Sequence, residues 1–153
     1  MIFFDAVVSG FKNCFVFRGR SSRSEFWWFI LFSIMTCLIA LNFSFEDLNK
    51  ELSKSDINDV SSTLRIFFSS WVGIVLLITY VPQIALSVRR FHDINKSGWW
   101  FFVLQIAPSI LPQALSFIGI ITLFAYLYFM CEKGGDENQY GSNPLQKKNR
   151  FNL

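Results

Sequence analysis

The chain has 153 residues, of which 52% are hydrophobic and only 16% charged, with a net charge of +3. A soluble domain carries about 25% charged residues. The distribution is more telling than the average: residues 26–45, 66–88 and 97–131 contain no Asp, Glu, Lys, Arg or His. That partition excludes an ordinary soluble domain and a disordered chain, and it points to a multi-span membrane protein. The length suits one small membrane domain, 1–144, followed by a basic tail, 145–153.

Before the first apolar run, Phe3, Val7, Phe11 and Phe15 recur every four residues, with Phe4 and Val8 beside them. The spacing predicts a short amphipathic helix. Two readings stand side by side: a helix lying in the membrane interface, and a packing helix. Asp5 and the lack of a basic start or a clear small-residue cleavage site argue against a signal peptide.

The first span is expected at 26–45, long enough to cross a hydrocarbon core of about 30 Å. Arg18, Arg20 and Arg23 precede it and no comparable basic cluster follows, which places the N-terminus in the cytoplasm. The loop 46–65 holds five acids and three bases and reads as external, with Leu48, Leu52 and Ile57 as the apolar positions of a short helix. The second span is expected at 66–88, kinked by Pro82 and returned to the cytoplasm at Arg89 and Arg90.

Residues 97–131 are too long for one perpendicular helix. Pro108 and Pro112 near the centre favour a membrane hairpin, with arms at about 97–112 and 113–131, over one long tilted helix. A hairpin brings the C-terminus to the cytoplasm, in agreement with Lys147, Lys148 and Arg150. The expected fold is therefore all-α and integral to the membrane: an N-terminal interfacial helix, two transmembrane helices and a Pro-broken hairpin, about four membrane helices.

Cys14, Cys37 and Cys131 form no CxxC pair and read as small apolar residues. The single histidine excludes a multi-His metal site within one chain. Walker, Rossmann and Ser–His–Asp signatures are absent, so no cofactor is implied. Gly134-Gly135-Asp136-Glu137 echoes cyclic-dinucleotide synthases, but that chemistry needs a large soluble domain. The glycine pair reads instead as the end of the last helix.

Two polar clusters carry the specific signal. Arg18-Gly19-Arg20-Ser21-Ser22-Arg23-Ser24-Glu25-Phe26-Trp27-Trp28 precedes the first span, and Arg89-Arg90-Phe91-His92-Asp93-Ile94-Asn95-Lys96-Ser97-Gly98-Trp99-Trp100 follows the second. Both resemble the bacterial inner-membrane family called domain of unknown function 805. So does the ending, Gly135-Asp136-Glu137-Asn138-Gln139-Tyr140-Gly141-Ser142-Asn143-Pro144. The resemblance covers roughly residues 1–144 and implies a small multi-pass inner-membrane protein without an assigned activity. Two departures stand out: Asn95-Lys96 occupies a place where Gly followed by Arg or Lys is common, and the 46–65 loop is long.

The residues themselves leave functional alternatives open. Arg18, Arg20, Arg23, Arg89, Arg90 and His92 read either as topology signals and anchors, or as a face that binds an anionic lipid headgroup or an acidic partner. Arginine suits the second role because its planar fork binds phosphate oxygens in pairs. Glu25 and Asp93, costly if unpaired where a span begins, are expected to pair with arginine. Trp27, Trp28, Trp99 and Trp100 read as interface anchors. The expectation is a non-enzymatic membrane protein that contacts lipids, a second copy or a membrane partner, and not nucleic acid. The rivals are an oligomeric channel or transporter subunit, and an enzyme acting on lipid headgroups through His92 and Asp93.

Overall fold

A computed structural model describes residues 2–52, 68, 70–110 and 117–144. Among them the secondary structure is helical, with no strand and one isolated bridge between Asn138 and Gly141. The elements are α1 (Phe3–Lys12), α2 (Arg23–Leu52), α3 (Trp71–Asp93), α4 (Trp99–Phe101), a π-helical segment (Phe102–Ile106), α5 (Ala107–Ile110) and α6 (Phe117–Cys131). The break expected near Pro112, the start of the second span, Ile57 and the basic tail lie outside the described residues.

Among the described residues two helices are long and apolar enough to cross a bilayer, Arg23–Glu46 and Trp71–Asp93. In the most apolar window of the first, only 17% is buried inside the protein. A soluble core helix would be mostly covered; this one turns Leu31, Ile34, Leu38, Phe43 and Phe45 outward. Both helices outrun their apolar runs. α2 starts at Arg23, because the Ser22 hydroxyl accepts from the Glu25 backbone N–H at 3.3 Å and caps it. It continues to Leu52, so Leu48 and Leu52 extend the same helix rather than forming a separate one. α3 runs through Pro82 and encloses Arg89 and Arg90 in its final turns.

The chain divides into two compact units, residues 30–81 and residues 1–29 with 82–153. In the first, Ala40, Ser44 and Thr79 are buried. Thr36 and Thr79 return their hydroxyls to backbone carbonyls one turn earlier, at 2.9 and 2.8 Å, which satisfies them without a partner helix.

The second unit holds the larger core. Tyr126 sits at its centre, with ring centroids 6.4 Å from Phe26, 6.2 Å from Phe91 and 6.4 Å from Phe101. Its hydroxyl meets the Ser87 hydroxyl at 2.8 Å, so the ring is buried without stranding its polar end. α1 packs Ala6 and Gly10 inward, the latter against the Phe29 ring, and leaves Phe4 and Val8 exposed. The segment 99–110 packs antiparallel to α6: Trp100 meets Phe129, Phe101 meets Tyr126, and Pro108 faces Gly119. The π-helical turn lies directly before Pro108, which has no N–H to give to the Leu104 carbonyl.

α3 ends in a Schellman turn. Asn95 adopts φ 58°, its N–H bonds to the His92 carbonyl at 3.1 Å, and the Lys96 N–H bonds to the Phe91 carbonyl at 2.9 Å. Asparagine tolerates this left-handed geometry better than most residues. Gly98 then comes so close to α3 that a Cβ there would lie 2.6 Å from Val88 Cγ1.

Candidate functional site: a buried arginine knot beside an open pocket of mixed charge

The second unit gathers a polar layer from four sequence-distant segments. Asp93 is its hub. Arg20 donates from Nε to Asp93 Oδ1 at 2.8 Å, and Arg90 donates from Nη1 to Oδ2. These three side chains are at most 5% exposed. The remaining donors of both guanidinium groups go to backbone carbonyls. Arg20 reaches Gly135, Asp136 and Gly141, and Arg90 reaches Met130 and Glu132. Arg23 adds a bond to the Cys131 carbonyl at 3.4 Å.

Arginine is suited to this task because five donors in a rigid fork can satisfy several acceptors at once. The carbonyls that receive them are the orphan acceptors at the end of α6 and the loop behind it. That end carries the negative pole of the helix dipole, so positive charge is favourable there. α6 ends at Cys131, earlier than the glycine pair. Gly134 has a different role: a Cβ there would lie 2.1 Å from Asp93 Oδ2.

Glu25 does not join the ion pairs. Its carboxylate accepts from the Ser9 hydroxyl at 2.7 Å and the Ser21 hydroxyl at 2.8 Å, which ties α1 to the start of α2. Arg89, 6% exposed, donates from Nε to the Ala85 carbonyl at 3.4 Å, while its own carbonyl accepts the Ser21 N–H.

His92 is held from two sides. Its Nδ1 lies 3.2 Å from the Gly19 carbonyl oxygen, and its ring stacks on Tyr140 with centroids 3.9 Å apart and planes within 5°. Gly19 makes the approach with φ 87°, a conformation that favours glycine. Asn138 completes the clamp by donating to the His92 carbonyl at 2.8 Å and accepting from the Tyr140 N–H at 2.9 Å. Replacing His92 with alanine is expected to cost about 1–2 kcal/mol through loss of the stack and the hydrogen bond. Proteolysis within 135–144 should accelerate in step, and an unchanged cleavage rate would contradict this role.

The six basic and imidazole residues thus separate. Arg20, Arg89 and Arg90 are committed inside the protein and His92 is half-buried, whereas Arg18 and Arg23 are exposed. Trp27, Trp28, Trp99 and Trp100 are all exposed. Lys96 holds its ammonium 4.9 Å from the Phe129 centroid and 5.9 Å from that of Trp100. Beside the knot opens a pocket of about 310 Å³, lined among others by Ser22, Arg23, Ser24, Lys133, Gly134 and Asp136. Sequence reasoning missed Ser9, Ser21, Lys133, Asn138 and Tyr140 as site residues. The ordered Gly135–Pro144 motif was the signal available for the last two.

Residues 14–142 match the family described as "Protein of unknown function (DUF805)". The inner membrane protein YhaI of Escherichia coli (strain K12) is 29% identical over 138 residues, covering 90% of this chain and 92% of the relative. The inner membrane protein YhaH of the same strain is 30% identical over 135 residues, covering 87% and 90%. No solved structure matches the chain. The match spans all three segments that meet at Asp93, together with both membrane-length helices, and the chain therefore belongs to the DUF805 family of bacterial inner-membrane proteins.

Proposed function

We propose that this is a non-enzymatic, multi-pass inner-membrane protein whose cytoplasmic polar layer binds the phosphate of a lipid headgroup. The observation that carries the reading is the division among the cations. Arg20 and Arg90 spend their donors on Asp93 and backbone carbonyls, while Arg23 and Lys133 are exposed around an open pocket. Exposed tryptophans such as Trp27, Trp28, Trp99 and Trp100 suit headgroup depth, and a basic side chain near an anionic surface gains about 1 kcal/mol.

Both termini are cytoplasmic in this reading. The antiparallel packing of 99–110 on α6 supports the hairpin that topology requires, and the outward Phe4 and Val8 suit α1 to the interface. His92 and Asp93, the acid–base pair of the enzymatic alternative, are each tied to structural partners, which favours a binding role.

Native mass spectrometry of the protein extracted with its own lipids tests the proposal. The wild type is expected to retain phospholipid, and an Arg23→Ala/Lys133→Ala variant to lose at least about tenfold of it, the equivalent of about 1.4 kcal/mol. Equal retention by both, with an acidic protein co-purifying only with the wild type, would replace the lipid with a protein partner. Ion flux in liposomes would support a channel subunit instead.

A further inference from the structure

The pocket beside Asp93 carries charge of both signs, and this selects among headgroups. Arg23 and Lys133 supply the cations. Two carboxylates line the same space, Asp93 and Asp136. Asp93 is already shared between Arg20 and Arg90, so it offers little further attraction. Asp136 differs: its backbone carbonyl is held by Arg20, its side chain is exposed, and no ion pair among the described residues engages it.

We infer that the pocket recognises phosphoethanolamine, with the phosphate on Arg23 and Lys133 and the primary ammonium on Asp136. The inference rests on the headgroup reading above and names its ligand. A purely anionic headgroup would meet Arg23 and Lys133 favourably but would face the Asp136 carboxylate without compensation, a like-charge juxtaposition that acts against the wrong partner. A quaternary ammonium calls for an aromatic cage, and no aromatic side chain among the described residues lines this pocket. A primary ammonium with three donors suits a carboxylate directly. The Ser24 hydroxyl, 3.2 Å from that of Ser22, also lines the pocket as a polar group. A volume of about 310 Å³ lies at the small end of ligand pockets, which run from about 300 to 1,000 Å³, and fits a headgroup rather than a whole lipid.

The test uses the full chain in mixed micelles, with phosphatidylethanolamine, phosphatidylglycerol and phosphatidylcholine offered in equal amounts and bound lipid read by native mass spectrometry. The wild type should favour phosphatidylethanolamine over both others by about tenfold. Asp136→Asn should retain lipid but lose the preference, and Lys133→Ala, an exposed change that leaves the knot intact, should weaken all three. Soluble O-phosphoethanolamine displacing the lipid at equal concentration would assign the site to the free compound and keep the chemistry. Phosphatidylglycerol bound as well as or better than phosphatidylethanolamine, with Lys133→Ala still weakening it, overturns the inference and leaves the headgroup reading standing. Retention unaffected by Lys133→Ala overturns both.

Discussion

Exchanging Asp93 for asparagine is expected to destabilise the protein by about 3–5 kcal/mol, the largest effect of any single substitution in the polar layer. The carboxylate balances two guanidinium groups, and all three side chains are at most 5% exposed. Removing it strands two positive charges in a space with little water. The loss is not local, because the same arginines hold Met130, Glu132, Gly135 and Gly141 through their carbonyls. Thermal unfolding in detergent, followed by tryptophan fluorescence, should show a much lower transition for Asp93→Asn. Arg90→Lys should also unfold early, since one ammonium cannot reproduce a fork that reaches Met130, Asp93 and Glu132 at once. An Asp93→Asn protein that unfolds with the wild type would mean the knot contributes no stability.

Gly134→Ala should be the second most damaging change, and its neighbour provides the control. A Cβ at Gly134 would fall 2.1 Å from Asp93 Oδ2 and 2.7 Å from Asp93 Cγ. Asp93 cannot swing aside without releasing Arg20 or Arg90, so the clash moves into the knot. Overpacking of this kind costs about 1–3 kcal/mol. A Cβ at Gly135 meets nothing within 4 Å, so Gly135→Ala should stay within about 0.5 kcal/mol of the wild type. The pair of unfolding curves separates a steric requirement from a general need for flexibility in this loop. Equal losses at both positions would contradict the close approach at Asp93.

Much of this was legible in the sequence, and the remainder has physical reasons for being hidden. Runs without charge locate the membrane-length helices because hydropathy is a property of composition. They misplace the helix ends because hydrogen bonding does not stop where charge begins. Ser22 starts α2 before the apolar run, and Arg89 and Arg90 remain in α3, each donating from Nε to a backbone carbonyl within the protein. The motif around His92 is visible in the sequence. Its meeting with the 135–144 segment was out of reach of periodicity, since that segment has none and takes its shape from Arg20, Asn138 and the stacked pair of His92 and Tyr140. Glu25, expected to pair with arginine, interacts electrostatically with Arg89 but takes its hydrogen bonds from two serine hydroxyls, one of them from α1. Serines carry no charge pattern, so that arrangement leaves no trace in a sequence.

The proposed headgroup binding requires the polar layer to face the cytoplasm, because the knot and the pocket beside it both belong to that layer. Gln139 is exposed in the loop held by the knot and suits a reporter. With Cys14, Cys37 and Cys131 replaced by serine, a Gln139→Cys protein can be probed with a membrane-impermeant maleimide in two preparations. Labelling in inverted inner-membrane vesicles, with none in intact spheroplasts, is the predicted result. Labelling from the outside of spheroplasts would contradict the topology, and with it the proposed binding of cytoplasmic lipid headgroups in the pocket.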